Sequence, residues 1–201
     1  QPCMRMTQLR PARHQLNIVN AAKCLTAIPA RTTLHRDALI QSILDPHVRS
    51  TEFLKEVRFG TAVVTVNSIV LRRDDGAYML DIVGHTAHRD VDQEETLDSG
   101  LKSLGLSLLR VDAADIRREP KLSSAREIWS HRNFDVPLLD RMRILSALSE
   151  YGPRPIASLE DIIQSRFELS ASVCRLACED LVEIDIATRA LGPNSIVRAR
   201  R

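Results

Sequence analysis

Three polar residues stand out because of where they interrupt apolar patterns. Asp37 lies in a stretch, residues 34–44, whose Leu34, Ala38, Ile40, Ile43 and Leu44 are spaced for one face of a helix. Asn67 breaks a run rich in β-branched residues, 61–71, and Asp81 breaks the apolar run 78–83. Carboxylate oxygens are hard ligands that suit Mg²⁺, and a bound Mg²⁺ activates water and stabilises a leaving oxygen. Each residue also has a plainer reading. Asp37 fits an exposed acid near a helix N-terminus, where the dipole favours it. Asn67 fits the open face of a strand, and Asp81 the solvent side of an alternating one. His85 and His88, beside Asp90 and Asp92, are of the right types for a transition metal, but they fall in a loop, where histidines usually serve no metal. Cys174 and Cys178 are four apart, on one helical face, with no matching Cys or His pair elsewhere. They read as buried, inert thiols rather than zinc ligands. There is no Gly-rich phosphate loop, no Gly-x-Ser-x-Gly, no His-Glu-x-x-His and no dinucleotide fingerprint.

The elements that would position these residues follow from pattern and punctuation. The helix over 34–44 stops at Asp45-Pro46, since a residue before proline avoids the α region. Residues 47–60 fit either a short helix or an extended segment. The strand over 61–71 turns at Arg72-Arg73-Asp74-Asp75-Gly76 into a partner strand over 77–83, with Asp-Gly marking the hairpin. A helix over 95–104 ends at Gly105, and a short strand over 106–111 follows. Asp112 caps a short helix over 113–117, and a further helix covers 123–132. Past Asn133 the spacing predicts a helix over 138–151 and a break at Gly152-Pro153-Arg154-Pro155. A helix over 159–166, capped by Ser158, and one over 171–181, capped by Ser170, come next, then a strand over 182–186 and a return strand over 195–198. Three helices and a β-hairpin is the winged-helix order. Residues 1–33, arginine-rich and interrupted by Pro2, Pro11 and Pro29, read as a basic N-terminal arm with at most a short helix near 14–26.

Composition bounds the function. Of 201 residues, 44% are hydrophobic and 27% charged, ordinary for a globular chain that can bury an aliphatic core without disulfides. At 3% aromatic, a base-stacking surface is disfavoured. The net charge is only +2, but residues 1–60 carry nine Lys/Arg against four Asp/Glu, and Arg198, Arg200 and Arg201 form a basic tip. Mild local basicity of this kind suits a nucleic-acid partner without demanding one. No apolar run approaches the roughly 18–20 residues that span a bilayer, so no membrane partner is expected. With no signal-peptide pattern and no disulfide framework, the expected compartment is a reducing cytoplasm.

The stretch from Leu34 to Val83 carries a resemblance. Asp45-Pro46-His47-Val48 looks like an Asp-Pro-x-Val element after a first helix, and Leu104-Gly105-Leu106-Ser107-Leu108-Leu109-Arg110-Val111 like a helix-Gly-strand step. Ala114-Asp115-Ile116-Arg117-Arg118-Glu119-Pro120-Lys121-Leu122 resembles a segment preceding a second domain. Together these resemble TnsA-type transposon endonucleases over about residues 34–199. The resemblance implies an α/β restriction-endonuclease-like PD-(D/E)XK domain with a central mixed sheet, residues 34–132, and then a small winged-helix-like α+β domain, residues 133–201. It also implies an acid on the first helix, an Asp on one hairpin strand and Glu-x-Lys on the next, converging on Mg²⁺. Here the first acid falls on Asp37. The Pro-Asp element falls on Val66-Asn67, and Glu-x-Lys on Asp81-Ile82-Val83. An amide replaces one ligand and Val83 replaces the lysine, and each lost catalytic group costs a factor of about 10²–10⁴. The expected state is a nuclease fold without activity and without a resident cofactor, Mg²⁺ entering only if the site still works. Neighbours that could rescue it are Asp74, Asp75, His85 and Glu94.

DNA is then the expected partner, with a transposase-like or regulatory protein as a further one. In a winged helix the third helix enters the major groove. Here that helix has Arg175 as its only cation, so Arg189, Arg198, Arg200 and Arg201 around the wing are the better phosphate contacts. Two other readings stand beside this one: an active metal-dependent endonuclease of a transposition system, and a protein-interaction adaptor that binds no DNA.

Overall fold

The structure is a computed structural model, and it describes residues 17–84, 89–165 and 168–200. Its centre is a four-stranded mixed sheet of order β3-β4-β5-β6: β3 (Val48–Phe59), β4 (Ala62–Arg73), β5 (Gly76–Ile82) and β6 (Ser107–Val111). The first two pairings are antiparallel and the last is parallel. A parallel neighbour needs a crossover, and α2 (Val91–Ser103) supplies it. The ambiguous stretch 47–60 is therefore neither short nor helical but a twelve-residue strand. It becomes extended because it can pair with the β-branched run after it through the tight turn at residues 60–61.

Strand alternation gives the sheet two apolar faces. Ile69 and Leu71 of β4 and Leu80 and Ile82 of β5 join the larger core, which also holds α1 (Thr33–Leu44). Val64, Val66 and Val70 of β4 and Met79 of β5 point the other way, into a smaller cluster with Leu97 and Leu101 of α2. Gly100 allows that close approach: a Cβ there would collide with the Val57 side chain of β3. Both helices start at side-chain caps. The Thr32 hydroxyl accepts from the His35 amide at 3.1 Å, and Asp90 makes a reciprocal capping box with Gln93. The box starts α2 four residues ahead of the expected 95.

Residues 17–30 differ from the expected arm or helix. β1 (Asn17–Val19) and β2 (Ile28–Ala30) form a two-stranded antiparallel ribbon, with Val19, Ile28 and Ala30 buried in the larger core. Burying that apolar set, at about 25 cal/mol per Å², outweighs the polar and proline content that suggested an arm. The first sixteen residues lie outside those described.

The remaining elements are α3 (Ala113–Ile116), α4 (Lys121–Ser130), α5 (Leu138–Tyr151), β7 (Arg154–Pro155), α6 (Ile156–Ile163), α7 (Leu169–Cys178), β8 (Val182–Ile184) and β9 (Ile196–Ala199). The strands pair antiparallel in the order β7-β9-β8. α6 and α7 each begin ahead of the expected serine caps, at Ile156 and Leu169, after Pro155 and Glu168. Ile156 and Leu169 are buried, and their burial rather than a serine hydroxyl sets the start. The larger core is continuous from Val19 to Val197 and draws on α1, α4, α5, α6 and α7 alike. α7 lies at its middle, against α1, α4, α5 and α6, and none of its ten residues is exposed. Among the described residues, no helix is long and apolar enough to cross a membrane.

Candidate functional site

The three sequence-selected positions are dispersed, and arginine answers each of them. Asp37, on α1, is 3% exposed. Its two carboxylate oxygens accept from one guanidinium, Arg126 of α4, at 3.0 Å from Nε and 2.6 Å from Nη2. This is the bidentate fork that favours arginine over lysine. The carboxylate in turn holds the Arg126 pKa above its usual value, through the hydrogen bonds first and the opposite charge second. Asp37 is thus no exposed dipole acid.

Asn67, in the middle of β4, has φ +45°, a left-handed conformation that asparagine tolerates better than most residues. Its side-chain oxygen accepts from Arg31 Nη2 at 2.9 Å, just past the end of β2. The β4–β5 pairing runs from Val70↔Met79 to Arg73↔Gly76 and stops short of Asn67, which lies at an irregularity of the β3–β4 pairing.

Asp81, in β5, is 6% exposed and lies on the side of Met79, towards α2. Arg89 Nη2 stands 3.6 Å from Oδ1, and Arg110 Nε stands 3.9 Å from Oδ2. Arg110 is its direct partner on β6. Both arginines also reach Glu94 of α2, at 4.0 and 3.5 Å. These contacts are charge pairs rather than good hydrogen bonds, and Asp81 Oδ1 is buried with no hydrogen-bond partner among the described residues. Val83 lies beyond the strand end, exposed, and its amide donates to the Val111 carbonyl at 3.0 Å.

Among the described residues, Asp37 and Asp81 have no ion-pair partner in common. The two carboxylates are held by arginines from different elements, and a guanidinium within 4 Å of a carboxylate opposes a divalent cation there. Among the described residues, no group of three His, Cys, Asp or Glu is placed to hold a metal. The rescuing neighbours are engaged as well. Asp74 pairs with Arg49 and His47, Asp75 with Arg73, and Glu94 with the two arginines named above. Asp90 is used as a helix cap, and His85 and His88 lie outside the described residues. Cys174 and Cys178 face the core of α7, and burial pushes both thiols up to about 12.

The arginines expected to meet DNA divide into two groups. Arg175 bonds Glu179 at 2.7 Å, and Glu179 also takes the Arg141 guanidinium. Arg200 is mostly buried between Asp180 at 3.2 Å and Glu183 at 2.8 Å, and it also donates to the Pro46 carbonyl. Lys23 joins the same knot, bonding the Asp45 carbonyl at 2.7 Å and Asp180 at 3.1 Å. Burial pushes its pKa down, against the opposing pull of Asp180. These cations fasten the ribbon, the end of α1 and the C-terminal sheet to one another. Arg189 and Arg198 are exposed and make no ion pair among the described residues, and Arg201 lies outside them. Arg198 lines two adjoining cavities, about 320 and 760 Å³, that share Pro46, His47 and Glu183. Lys121 lines the first and Arg49 the second.

Sequence reasoning missed Arg126, Arg31, Arg89 and Arg110. Arg126 lies 89 residues from Asp37, and no local pattern links them. Only Arg110 had a signal: pairing 106–111 in parallel with the Asp81 strand sets the two side by side. Compared with models of known protein families, the chain matches none, and no curated protein matches it.

Proposed function

We propose that the chain is a DNA-associated relative of PD-(D/E)XK endonucleases, of TnsA type, whose two remaining acids, Asp37 and Asp81, serve in ion pairs rather than in a metal site. It acts as a DNA-binding or bridging module beside a transposase-like or regulatory protein. The observation that carries this reading is the arginine partnering of Asp37, Asn67 and Asp81. The helix, three strands, crossover helix and parallel strand from α1 to β6 support the nuclease-like part. The order α5-β7-α6-α7-β8-β9, with its antiparallel ribbon, supports a winged-helix-like part.

DNA contact would then differ from the usual helix-in-groove mode. α7 holds the place of a recognition helix, yet neighbouring helices cover it. The contact falls to the β8–β9 pair and the groove beside it, through Arg198 and Arg189, with Lys121 at the groove wall. Contacts of this kind bind phosphates, so affinity falls steeply with salt and depends little on sequence.

The test is a salt series of duplex binding, run beside a cleavage assay with Mg²⁺ and Mn²⁺. Binding that weakens with salt, a log–log slope shallower by about 2 in the Arg189→Ala/Arg198→Ala double variant, and intact duplex throughout are the expected results. Metal-dependent nicking that disappears in Asp81→Ala would sink the non-catalytic reading. Absence of binding even at low salt would sink the DNA reading and favour a protein adaptor.

A further inference from the structure

The smaller of the two cavities beside Arg198, about 320 Å³, has the size at which sites for small molecules begin. Leu44 and Pro46 from the end of α1, with Ile184, Ile186 and Ala187 from β8 and the turn after it, give it an aliphatic wall. One of its polar side chains is buried. Gln41 of α1 is 7% exposed, and its amide nitrogen donates to the Ile116 carbonyl at 2.7 Å. That bond fixes which way the amide faces and leaves its oxygen without a partner among the described residues. Among those residues only Asp81 Oδ1 is both sealed and unpartnered, so the Gln41 oxygen is open, and the cavity is the space it opens on.

The charged groups of the lining sort into engaged and free. Asp45 accepts from the His47 amide at 2.9 Å, Asp185 from the Ala187 amide at 3.1 Å and the Thr188 hydroxyl at 3.2 Å, and Glu183 pairs with Arg200 at 2.8 Å. His47 leans to Asp74. Lys121, half-buried, and Arg198, exposed, make no ion pair among the described residues. The cavity thus offers an aliphatic wall, one neutral acceptor at a buried position and two cations. A fatty acyl chain would leave the buried acceptor without a donor, which is costly, and a bare phosphate would make no use of the wall. A nucleotide answers all three. Its base has apolar faces and N–H donors along its edge, bases taken out of a stack are held between apolar side chains by such edge bonds, and its phosphate suits arginine and lysine. Enclosure between aliphatic side chains takes the place of aromatic stacking.

We infer that this cavity is a nucleotide pocket, in which the base packs on Leu44, Pro46 and Ile184, an edge N–H donates to the Gln41 oxygen, and the phosphate meets Lys121 and Arg198. The nucleotide is either free or the unpaired end nucleotide of a DNA strand. The second source rests on the reading of Arg198 as a DNA contact, whereas the pocket itself does not. With that source, the groove gains a preference that phosphate contacts alone cannot give, for a duplex end carrying an unpaired nucleotide over a blunt one.

Calorimetry of the full chain with deoxyadenosine monophosphate tests the pocket, with inorganic phosphate as the probe of the cations alone. The mononucleotide should bind tighter than phosphate by about tenfold or more. Ala187→Phe, which places a ring in the cavity from an exposed position, should abolish mononucleotide binding. Gln41→Leu should weaken it about tenfold. Thermal melts check folding, and if Gln41→Leu melts low, Ala187→Phe decides. The source is read by comparing a blunt duplex with the same duplex carrying one unpaired end nucleotide. A preference of about tenfold for the unpaired end that vanishes in Ala187→Phe assigns the pocket to DNA ends. Mononucleotide binding without that preference assigns it to a free nucleotide. Phosphate that binds as tightly as the mononucleotide, or mononucleotide binding indifferent to Ala187→Phe, overturns the inference, as does the absence of both mononucleotide binding and end preference. A chain that takes the mononucleotide but binds no duplex even at low salt keeps the pocket and loses only the DNA reading.

Discussion

Asp37 and Asp81 are the same residue type, buried to nearly the same degree, and each lies within 4 Å of an arginine. They are nevertheless in opposite conditions. Both oxygens of Asp37 are hydrogen-bonded, and its partner Arg126 stays about half exposed, so one member of the pair keeps much of its hydration. Asp81 has its charge balanced from 3.6 and 3.9 Å but no hydrogen bond at Oδ1 among the described residues, and its nearer arginine is itself almost fully buried. Charge balance and hydrogen-bond satisfaction are separate requirements. Coulomb attraction tolerates an extra ångström, whereas a hydrogen bond does not. An unsatisfied buried acceptor costs about 1–3 kcal/mol, so Asp81 is held in place by its surroundings, while Asp37 helps to hold them.

Arg126→Ala should expose that difference most strongly. It strands a buried carboxylate on α1 and should cost about 2–3 kcal/mol in denaturant unfolding. Asp37→Ala, which instead releases a guanidinium to water, should cost clearly less. If the two variants lose equally, the pair does not work as described. Asp81→Asn should be milder, about 1 kcal/mol, because the charge it removes was poorly solvated while Arg89 and Arg110 keep Glu94. A loss as large as that of Arg126→Ala would show that the Asp81 cluster is a principal fastening.

Asn67→Asp sharpens the comparison from the side of the third position. The new carboxylate gains an ion pair with exposed Arg31, for which stability should change by no more than about 1 kcal/mol. No cleavage should appear in a Mg²⁺ assay, since Arg31 stays beside the new carboxylate and Arg89 and Arg110 stay beside Asp81. The smallest effect is on pH dependence. Burial acts to raise the Glu179 pKa, but hydrogen bonds and charge from Arg141 and Arg175 outweigh it and leave the group below the usual carboxylate range. A depressed folded-state pKa gives stability that is present above the unfolded value and lost as pH falls through the folded one. Glu179→Gln should therefore flatten the acid limb of a melting-temperature profile and leave the alkaline limb unchanged.

Much of the architecture was legible because it is local. The Asp-Gly hairpin, the Asp45-Pro46 stop and the amphipathic spacing of α5 each declare themselves within a few residues. The ribbon of residues 17–30 did not, since its apolar residues are too few to show a period and its burial depends on α1 arriving from elsewhere. The candidate site was legible only in half. Residue type and spacing selected Asp37, Asn67 and Asp81, but their present condition is set by arginines from other elements, and periodicity carries no information about those. Arg200 shows the same limit from the other side: a basic chain end reads as a phosphate contact, yet Glu183 and Asp180 hold it inward.

The burial of most of α7 has a consequence for how the molecule comes apart. A helix with no exposed residue cannot fray alone, because releasing it requires α1, α4, α5 and α6 to separate. Cys174 and Cys178 lie along it, with thiols too basic and too buried to react while it stays covered. Half-buried Cys24, on the ribbon, has no such shelter. The chain thus carries its own pair of clocks. Thiol labelling at Cys24 times local breathing of the ribbon, and labelling at α7 times opening of the whole core.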